Sequence, residues 1–320
     1  MDRDQLSAFG GTLPGIITGF SSPENAFAAV DRPAEIVVER DVSENTHRGK
    51  VFAAVHAQLD NVPYYCGGTC AKLMKEGYTG YLIRTCNDEK RGVGTNAENI
   101  FNSERENMRI AKALGFAEVF DLYYRSHRMN GISPIEIRGR LIWLFRFLKV
   151  DTVLTFNPWG WGEENPDHWI TGRAVEEACW MSGIRNDFSE HMEAGVLPHR
   201  VRERYYFVTR PGQPFNRVVD IGSTIEKKID AIVECKLQGG GDRGSQLRKQ
   251  LAKDGKRLPV LGNDDATADR EFVRNFTLIP YKQLGKQYGL TYAERFYYLD
   301  DRKPERSELE EYIEKNAIKE

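Results

Sequence analysis

The sequence lacks several features that would place it in a specialised class of proteins. Its five cysteines are an odd number spread over 320 residues, which argues against a disulfide framework. It contains no run of about 18 apolar residues, so no membrane span is expected. Neither sign of charge dominates, because 45 Lys and Arg balance 47 Asp and Glu, and nucleic acid is not an expected partner. We therefore expect a globular protein with reduced thiols, located in the cytoplasm.

Composition divides the chain into three regions. Residues 1–48 are rich in turn-forming residues and predict an N-terminal arm with one short strand at 34–38. Residues 49–236 alternate strand-like and helix-like patterns. Residues 237–320 open with a glycine-rich break and continue with a highly charged stretch, which predicts a loop and a C-terminal extension packed on the same domain. A lid over the site is the alternative interpretation of residues 238–265.

Strand and helix patterns alternate throughout residues 49–236. The first apolar run, Val51–Ala57, is typical of a strand buried on both faces. Further strands are expected at Tyr78–Arg84, Val119–Leu122, Thr152–Phe156, Arg204–Thr209 and Arg217–Ile221, and helices at Thr69–Glu76, Glu104–Leu114, Ile135–Leu148, Asp167–Met181 and Thr224–Lys236. Repeated strand–helix–strand units predict an α/β fold with a doubly wound, mostly parallel, Rossmann-like sheet.

Two loops at one edge of the predicted sheet carry most of the candidate site residues. In doubly wound sheets the site lies beyond the carboxyl ends of the strands. The loop after Ala57 contains Gln58, Asp60, Asn61 and then Cys-Gly-Gly-Thr at residues 66–69. The loop after Phe156 contains two tryptophans, Trp159 and Trp161, followed by Asn165-Pro166-Asp167-His168. The tryptophans could stack on a sugar or another flat ligand, and core packing is the alternative.

These two loops resemble those of the LmbE/PIG-L family of zinc-dependent N-deacetylases. The family's first loop reads Ala-His-Pro-Asp-Asp-Glu, then three residues, then Cys-Gly-Gly-Thr; Ala57, Asp60 and residues 66–69 align with it without a gap. Residues 165–168 match the second element, often His-Pro-Asp-His. Residues 87–92 and the stretch from Glu106 to Gly115 also resemble family features. The resemblance covers roughly residues 50–210.

The resemblance implies an N-deacetylase-type amidohydrolase that acts on a small N-acylated amino sugar or a related amide. It implies a general base at Asp60 and, at Asp167, a carboxylate that orients a histidine. The three zinc-ligand positions of the family fall on Gln58, Asn61 and His168. Asn165, Glu89 and Arg91 lie in family-like segments and are candidate substrate contacts, as are Trp159 and Trp161, which border the site.

Two of the three ligand positions depart from the family. Zinc sites use Cys, His, Asp or Glu, and catalytic sites commonly keep three protein ligands. Gln58 and Asn61 offer neutral amide oxygens, so the zinc expected from the family is not expected to be held by His168 alone. His56 lies two residues before Gln58, an offset of about 6.6 Å along a strand, which is too far for a simple replacement.

Three functions therefore remain open. The first is a deacetylase-like hydrolase that is inactive in this form. The second is a non-catalytic pseudoenzyme that keeps the pocket for binding. The third is a metal-independent enzyme that uses Asp60, Asp167 and His168 as acid and base groups. In each case the partner is a small molecule resembling an amino sugar, and assembly into a homo-oligomer is left open.

Overall fold

The computed structural model describes residues 35–237, 240–301 and 308–318. One sheet contains the strands β1 (Val37–Glu39), β2 (Val51–His56), β3 (Thr79–Cys86), β4 (Glu118–Tyr124), β5 (Thr152–Phe156), β6 (Glu203–Phe207), β7 (Arg217–Asp220) and β8 (Ala293–Asp300). The helices are α1 (Asn61–Tyr65), α2 (Gly67–Lys75), α3 (Asn96–Leu114), α4 (Pro134–Leu148), α5 (Pro166–Met181), α6 (Glu190–Glu193), α7 (Ile225–Val233), α8 (Arg243–Lys253), α9 (Asp265–Phe272), α10 (Ile279–Gln287) and α11 (Glu308–Asn316). A π-helical turn, Val273–Thr277, links α9 to α10.

The sheet is doubly wound, as the sequence predicts. Its strand order is β1-β7-β8-β6-β5-β2-β3-β4. β8 pairs antiparallel with β6 and β7, whereas the other pairings within the described residues are parallel. The chain runs outward from β2 to β3 and β4, then returns to place β5 on the other side of β2. The order therefore reverses between β2 and β5, and a crevice for ligands is expected at that point.

The core lies on both faces of the two central strands. Every residue of Phe52–Val55 in β2 and of β5 is buried, because helices cover each face of the sheet. All five cysteines are buried and carry free thiols. Within the described ranges, no helix is long and apolar enough to cross a lipid bilayer.

Several element boundaries differ from the sequence-based expectation. α3 begins at Asn96, eight residues before the expected start at Glu104, because Thr95 and Glu98 form a capping box there. The charged stretch expected as a loop contains α8, and the chain then adds β8 to the interior of the sheet. Residues 1–34, including most of the predicted arm, lie outside the described residues, and the three-region division remains a prediction.

The fit of α5 on the sheet depends on a single glycine. A Cβ atom at Gly172 would lie 2.6 Å from the carbonyl oxygen of Phe156 and 2.8 Å from that of Asn157. Both obstacles are backbone atoms at the end of β5, so they cannot move aside as a side-chain tip can. Gly172→Ala is expected to lower the free energy of unfolding by about 1–3 kcal/mol, measured by urea denaturation. Gly131→Ala is the matched control, because a Cβ at this position would have no other atom within 4 Å, and its effect should stay within about 0.5 kcal/mol.

Candidate active site

The loops that follow β2 and β5 meet at the reversal of the strand order. Gln58 and Asn61 come from the first loop, and Asn165, Asp167 and His168 come from the second. α5 starts in the second loop, where the Asn165 side chain accepts a hydrogen bond from the backbone N–H of Asp167 as an N-cap. The structure therefore brings these five predicted site residues together.

Gln58 links the other members of this cluster by hydrogen bonds and is only 1% exposed. Its Oε1 atom lies 2.6 Å from Nε2 of His168 and accepts a second hydrogen bond, 3.3 Å long, from the Asn165 amide. Its Nε2 atom donates to Oδ2 of Asp167 over 3.3 Å. With the amide in this orientation, the Nε2 of His168 must carry the proton that it shares with Gln58.

Asn61 contacts its own loop. Its Oδ1 atom accepts a 2.7 Å hydrogen bond from the backbone N–H of Gln58, and its Nδ2 atom donates to Oδ1 of Asp60 over 3.0 Å. A carboxylate at position 61 could not donate this second hydrogen bond. The asparagine thus fixes the position of the Asp60 side chain.

The donor set of this cluster does not fit zinc. Two of its three ligand positions present amides, and within the described residues no group of three His, Cys, Asp or Glu side chains could hold a metal ion. The Gln58 oxygen is engaged with His168 and Asn165, and the Asn61 oxygen with a backbone N–H. The structure satisfies these polar groups by hydrogen bonds among themselves.

Glu163, which no sequence pattern selects, lies beside the other ring nitrogen of His168. Nδ1 of His168 lies 3.2 Å from Oε2 of Glu163, and the imidazole stacks on Phe156 with ring centres 4.1 Å apart. Glu163 also forms an ion pair with Arg210. Burial alone raises the pKa of Glu163, but hydrogen bonding and charge from His168, with help from the backbone N–H of Asn165 and from Arg210, lower it to about 2. In the sequence, the only feature that points to Glu163 is its position five residues before His168.

Asp167 contacts the side chain at position 58, where the family has a histidine and this chain has Gln58. Its Oδ2 atom accepts hydrogen bonds from Gln58 and, at 2.7 Å, from the backbone N–H of His127. Among the described residues, its Oδ1 atom is buried without a hydrogen-bonding partner. Glu163, rather than Asp167, carries the carboxylate beside the His168 ring.

Asp60 lines a cleft that lies beside this cluster, whose other members are not among the lining residues. Burial raises its pKa, whereas the charges of Arg91 and His168 oppose that rise. The cleft has a volume of about 560 Å³ and is bounded partly by the chain beyond residue 236. The residues lining it are Asp60, Tyr64, Tyr65, Cys235, Gly240, Arg243, Phe272, Phe276, Thr277 and Tyr281. The C-terminal extension therefore supplies one wall of the cleft.

The other sequence-selected residues surround this centre at different places. Glu89 is buried, and its two carboxylate oxygens share the hydrogen bond donated by Nε–H of Arg125. Trp159 and Trp161 line a separate, smaller cavity. His56 is buried in β2, and its Nδ1 atom lies 2.7 Å from the carbonyl oxygen of Gln58. Burial lowers the pKa of His56 to about 3, so it is a neutral residue of the core.

A buried ion pair, Lys228 with Glu294, anchors the Cys-Gly-Gly-Thr segment. Glu294 of β8 accepts hydrogen bonds from the backbone N–H groups of Gly68 and Thr69 and from the Thr69 hydroxyl. Lys228 of α7 lies 2.7 Å from Glu294 and donates to the carbonyl oxygens of Pro63 and Tyr64. The negative charge sits at the N-terminus of α2, where the helix dipole favours it.

The fold and site define a doubly wound α/β protein with a polar cleft at the reversal of its strand order. Residues 53–179 match the sequence model of the family described as PIG-L, GlcNAc-PI de-N-acetylase. This stretch of the chain is therefore a PIG-L/LmbE family domain, as its two loop motifs indicate.

Individual proteins are similar to this chain in sequence or in fold. The chain is 24% identical over 221 residues to the diacetylchitobiose deacetylase of Thermococcus kodakarensis, covering 67% of this chain and 78% of that protein. The structure resembles N,N′-diacetylchitobiose deacetylase from Pyrococcus horikoshii, with a TM-score of 0.63, 20% identity, and coverage of 89% and 96% of the two chains. It also resembles the 4-carboxy-2-hydroxymuconate hydratase GalB from Pseudomonas putida, with a TM-score of 0.57, 18% identity, and coverage of 81% and 99%. The fold thus accommodates more than one reaction, and the function has to be argued from the site.

Proposed function

We propose that this chain is a deacetylase-type protein that binds an N-acylated amino sugar, or a related small amide, in the cleft beside Asp60, and that it does so without zinc. The ligand class is supported by the PIG-L family match and by the relatives named diacetylchitobiose deacetylase. The observation that carries the zinc-free part is the hydrogen bond between Gln58 and His168, which joins two of the family's ligand positions directly.

The cleft has the groups that an N-acylated sugar requires. The Asp60 carboxylate is held toward the cleft by Asn61 and can accept a hydrogen bond from an amide N–H or a sugar hydroxyl. Tyr64 and Tyr281 add aromatic surface, and Arg243 lines the same cavity. A concave site with a few fixed polar groups among aromatic side chains is typical of small-molecule binding.

The residues of this site do not support zinc-dependent hydrolysis. In the family the metal ion would activate a water molecule, and that role needs ligands that Gln58 and Asn61 do not supply. Without the ion, Asp60 is left with an ordinary water molecule, whose proton is much harder to remove. We therefore expect binding without appreciable release of acetate.

A second candidate function, metal-independent hydrolysis, is favoured by the acid and base groups that lie together in the site. Asp60 has a raised pKa, and His168 is backed by the Glu163 carboxylate, so a base and a proton donor share the site. Asp60 would take a proton from water while the water oxygen attacks the acyl carbon. The C–N bond would then break as His168 transfers its Nε2 proton, which it now shares with Gln58, to the leaving nitrogen, giving an amine and a carboxylic acid.

Titration calorimetry with N-acetylglucosamine and N,N′-diacetylchitobiose, together with an acetate-release assay, tests the proposal. We expect saturable binding of at least the disaccharide and no acetate above background, with or without added zinc. Asp60→Asn should weaken binding about tenfold or more, because a hydrogen bond to a charged acceptor is lost. Asp265→Asn is the control, since this exposed carboxylate on α9 pairs with Arg248 and Lys249.

Each alternative gives a different result. Acetate release that persists in the presence of a chelator and disappears in Asp60→Asn would establish the metal-independent enzyme. Acetate release that requires zinc would show that the amides at positions 58 and 61 do not prevent the ion from binding. Failure of every N-acylated sugar to bind would contradict the proposed ligand class.

A further inference from the structure

We propose that a second pocket, the aromatic pocket formed by residues around Trp159 and Trp161, binds the apolar face of a further sugar ring attached to the N-acylated sugar in the cleft. This inference rests on the proposed function. The pocket has a volume of about 240 Å³, smaller than the roughly 300–1,000 Å³ typical of a complete ligand site. Its lining residues are Asn157, Trp159, Trp161, Phe207, Gln213, Pro214 and Tyr297. Its size suits one ring of a larger ligand.

Both indoles are exposed, and the indole of Trp159 is also fixed in place. Trp159 is 58% exposed and Trp161 is 66% exposed. Trp159 packs edge-to-face against Tyr206 and Tyr297, with ring centres 5.5 and 5.2 Å apart. Aromatic side chains held this way lose little conformational freedom when a ligand covers them.

The loop that carries the indoles is tied to its neighbour by Gln213. The Gln213 amide donates to the backbone carbonyl of Trp161 over 2.6 Å and accepts hydrogen bonds from the backbone N–H groups of Thr209 and Arg210. Gly160, with φ +62°, gives the loop a turn that a residue with a side chain rarely adopts. Two large apolar rings are thus presented to solvent by a rigid support.

The polarity of the pocket indicates a neutral sugar ring. No charged side chain is among its lining residues. Within the described part of the chain, the Asn157 amide nitrogen and the Tyr297 hydroxyl have no hydrogen-bonding partner, so both can serve a ligand. A pyranose offers C–H groups on one face for an indole and hydroxyls at its edge for such polar groups, whereas a phosphate or carboxylate would find no cation here.

The aromatic pocket and the candidate active site share a wall. Phe207 lines the pocket and contacts Phe156, with ring centres 5.2 Å apart, and Phe156 in turn stacks on His168. Phe207 also stacks on Tyr65, which lines the cleft. One loop runs from Asn157 in the pocket to Asn165 at the active site. A ligand of two or more linked rings is therefore the class that would use both cavities.

The test compares the affinities of N-acetylglucosamine and N,N′-diacetylchitobiose for the full chain and its variants. Wild type should bind the disaccharide about tenfold more tightly, the effect of one well-packed aromatic contact. Trp161→Ala should remove this advantage and leave the monosaccharide affinity unchanged. Trp159→Ala should do the same, and circular dichroism would confirm its folding because Trp159 packs on two tyrosines. Trp180→Ala is the matched control: Trp180 is 58% exposed and lies on α5 outside the pocket lining.

The outcomes separate this inference from the proposed function. If wild type binds both sugars equally, or if Trp161→Ala keeps the disaccharide advantage, the aromatic pocket is not a sugar subsite, but the cleft still binds an N-acylated sugar. If neither sugar binds wild type, the proposed function fails and the subsite fails with it.

Discussion

Replacing both departing residues, Gln58→His with Asn61→Asp, is expected to create a zinc site that retains about one zinc ion per chain. The variant would present two histidines and an aspartate, the donor types and number that a catalytic zinc site uses. His168 is already positioned for this role, because Glu163 lies 3.2 Å from its Nδ1 atom and a carboxylate behind a ligating histidine is a common supporting contact. Wild type should retain less than about a tenth of an equivalent after dialysis, as measured by plasma mass spectrometry.

A double substitution of the same kinds on the surface provides the control. Gln283→His with Asn275→Asp makes identical chemical changes at exposed positions and should remain free of zinc. Near-stoichiometric zinc in wild type would contradict the conclusion that the donor set of the cluster does not fit zinc. A double variant that stays empty would mean that the loop after β2 has moved beyond the reach of His168.

The same double variant also separates the open functions. If it takes up zinc and releases acetate from an N-acylated sugar, the rest of a deacetylase site is intact and only the metal ligands have been exchanged. If it takes up zinc but releases no acetate, the cleft has been reshaped for binding, and Asp60 no longer meets the acyl group in a reactive geometry. Both results are compared with the activity of the unaltered chain.

Local sequence patterns place the two loops of the candidate site at the same edge of the sheet. β2 and β5 are continuous apolar runs because both faces of the sheet are covered, and such runs are visible without knowing their partners. The polar residues that follow these strands lie at their carboxyl ends, and there hydrogen bonds through Gln58 link Asn61 and His168, two positions that the family resemblance selects.

Long-range contacts were not visible in the sequence. Glu163 reaches His168 only because its loop turns at Gly160 and Gly162, both with positive φ. β8 lies inside the sheet through pairings with β6 and β7, which no periodicity in residues 293–300 reveals. The glycine-rich break and the charged residues of the extension concealed α8, in which only Gly244 and Ser245 are buried.

We expect the largest loss of stability when the buried ion pair of Lys228 and Glu294 is broken. Both side chains have no solvent exposure and lie 2.7 Å apart. Lys228→Met would leave the Glu294 carboxylate buried without its cation and lower the free energy of unfolding by about 3–5 kcal/mol. Because Lys228 also donates to the carbonyls of Pro63 and Tyr64 in α1, the variant should bind sugar more weakly even under conditions where it remains folded.

Chemical denaturation of a small set of variants distinguishes the buried charge from a packing effect. Lys228→Met combined with Glu294→Gln should regain part of the lost stability, since a neutral amide costs less to bury than an unpaired carboxylate and can still accept from the N–H groups of α2. Glu226→Gln breaks a comparable contact with Arg274 at an exposed position and should cost no more than about 1 kcal/mol. If Lys228→Met behaves like this surface control, the C-terminal strand does not support the Cys-Gly-Gly-Thr segment through charge. The role of the extension would then be limited to forming the wall of the cleft.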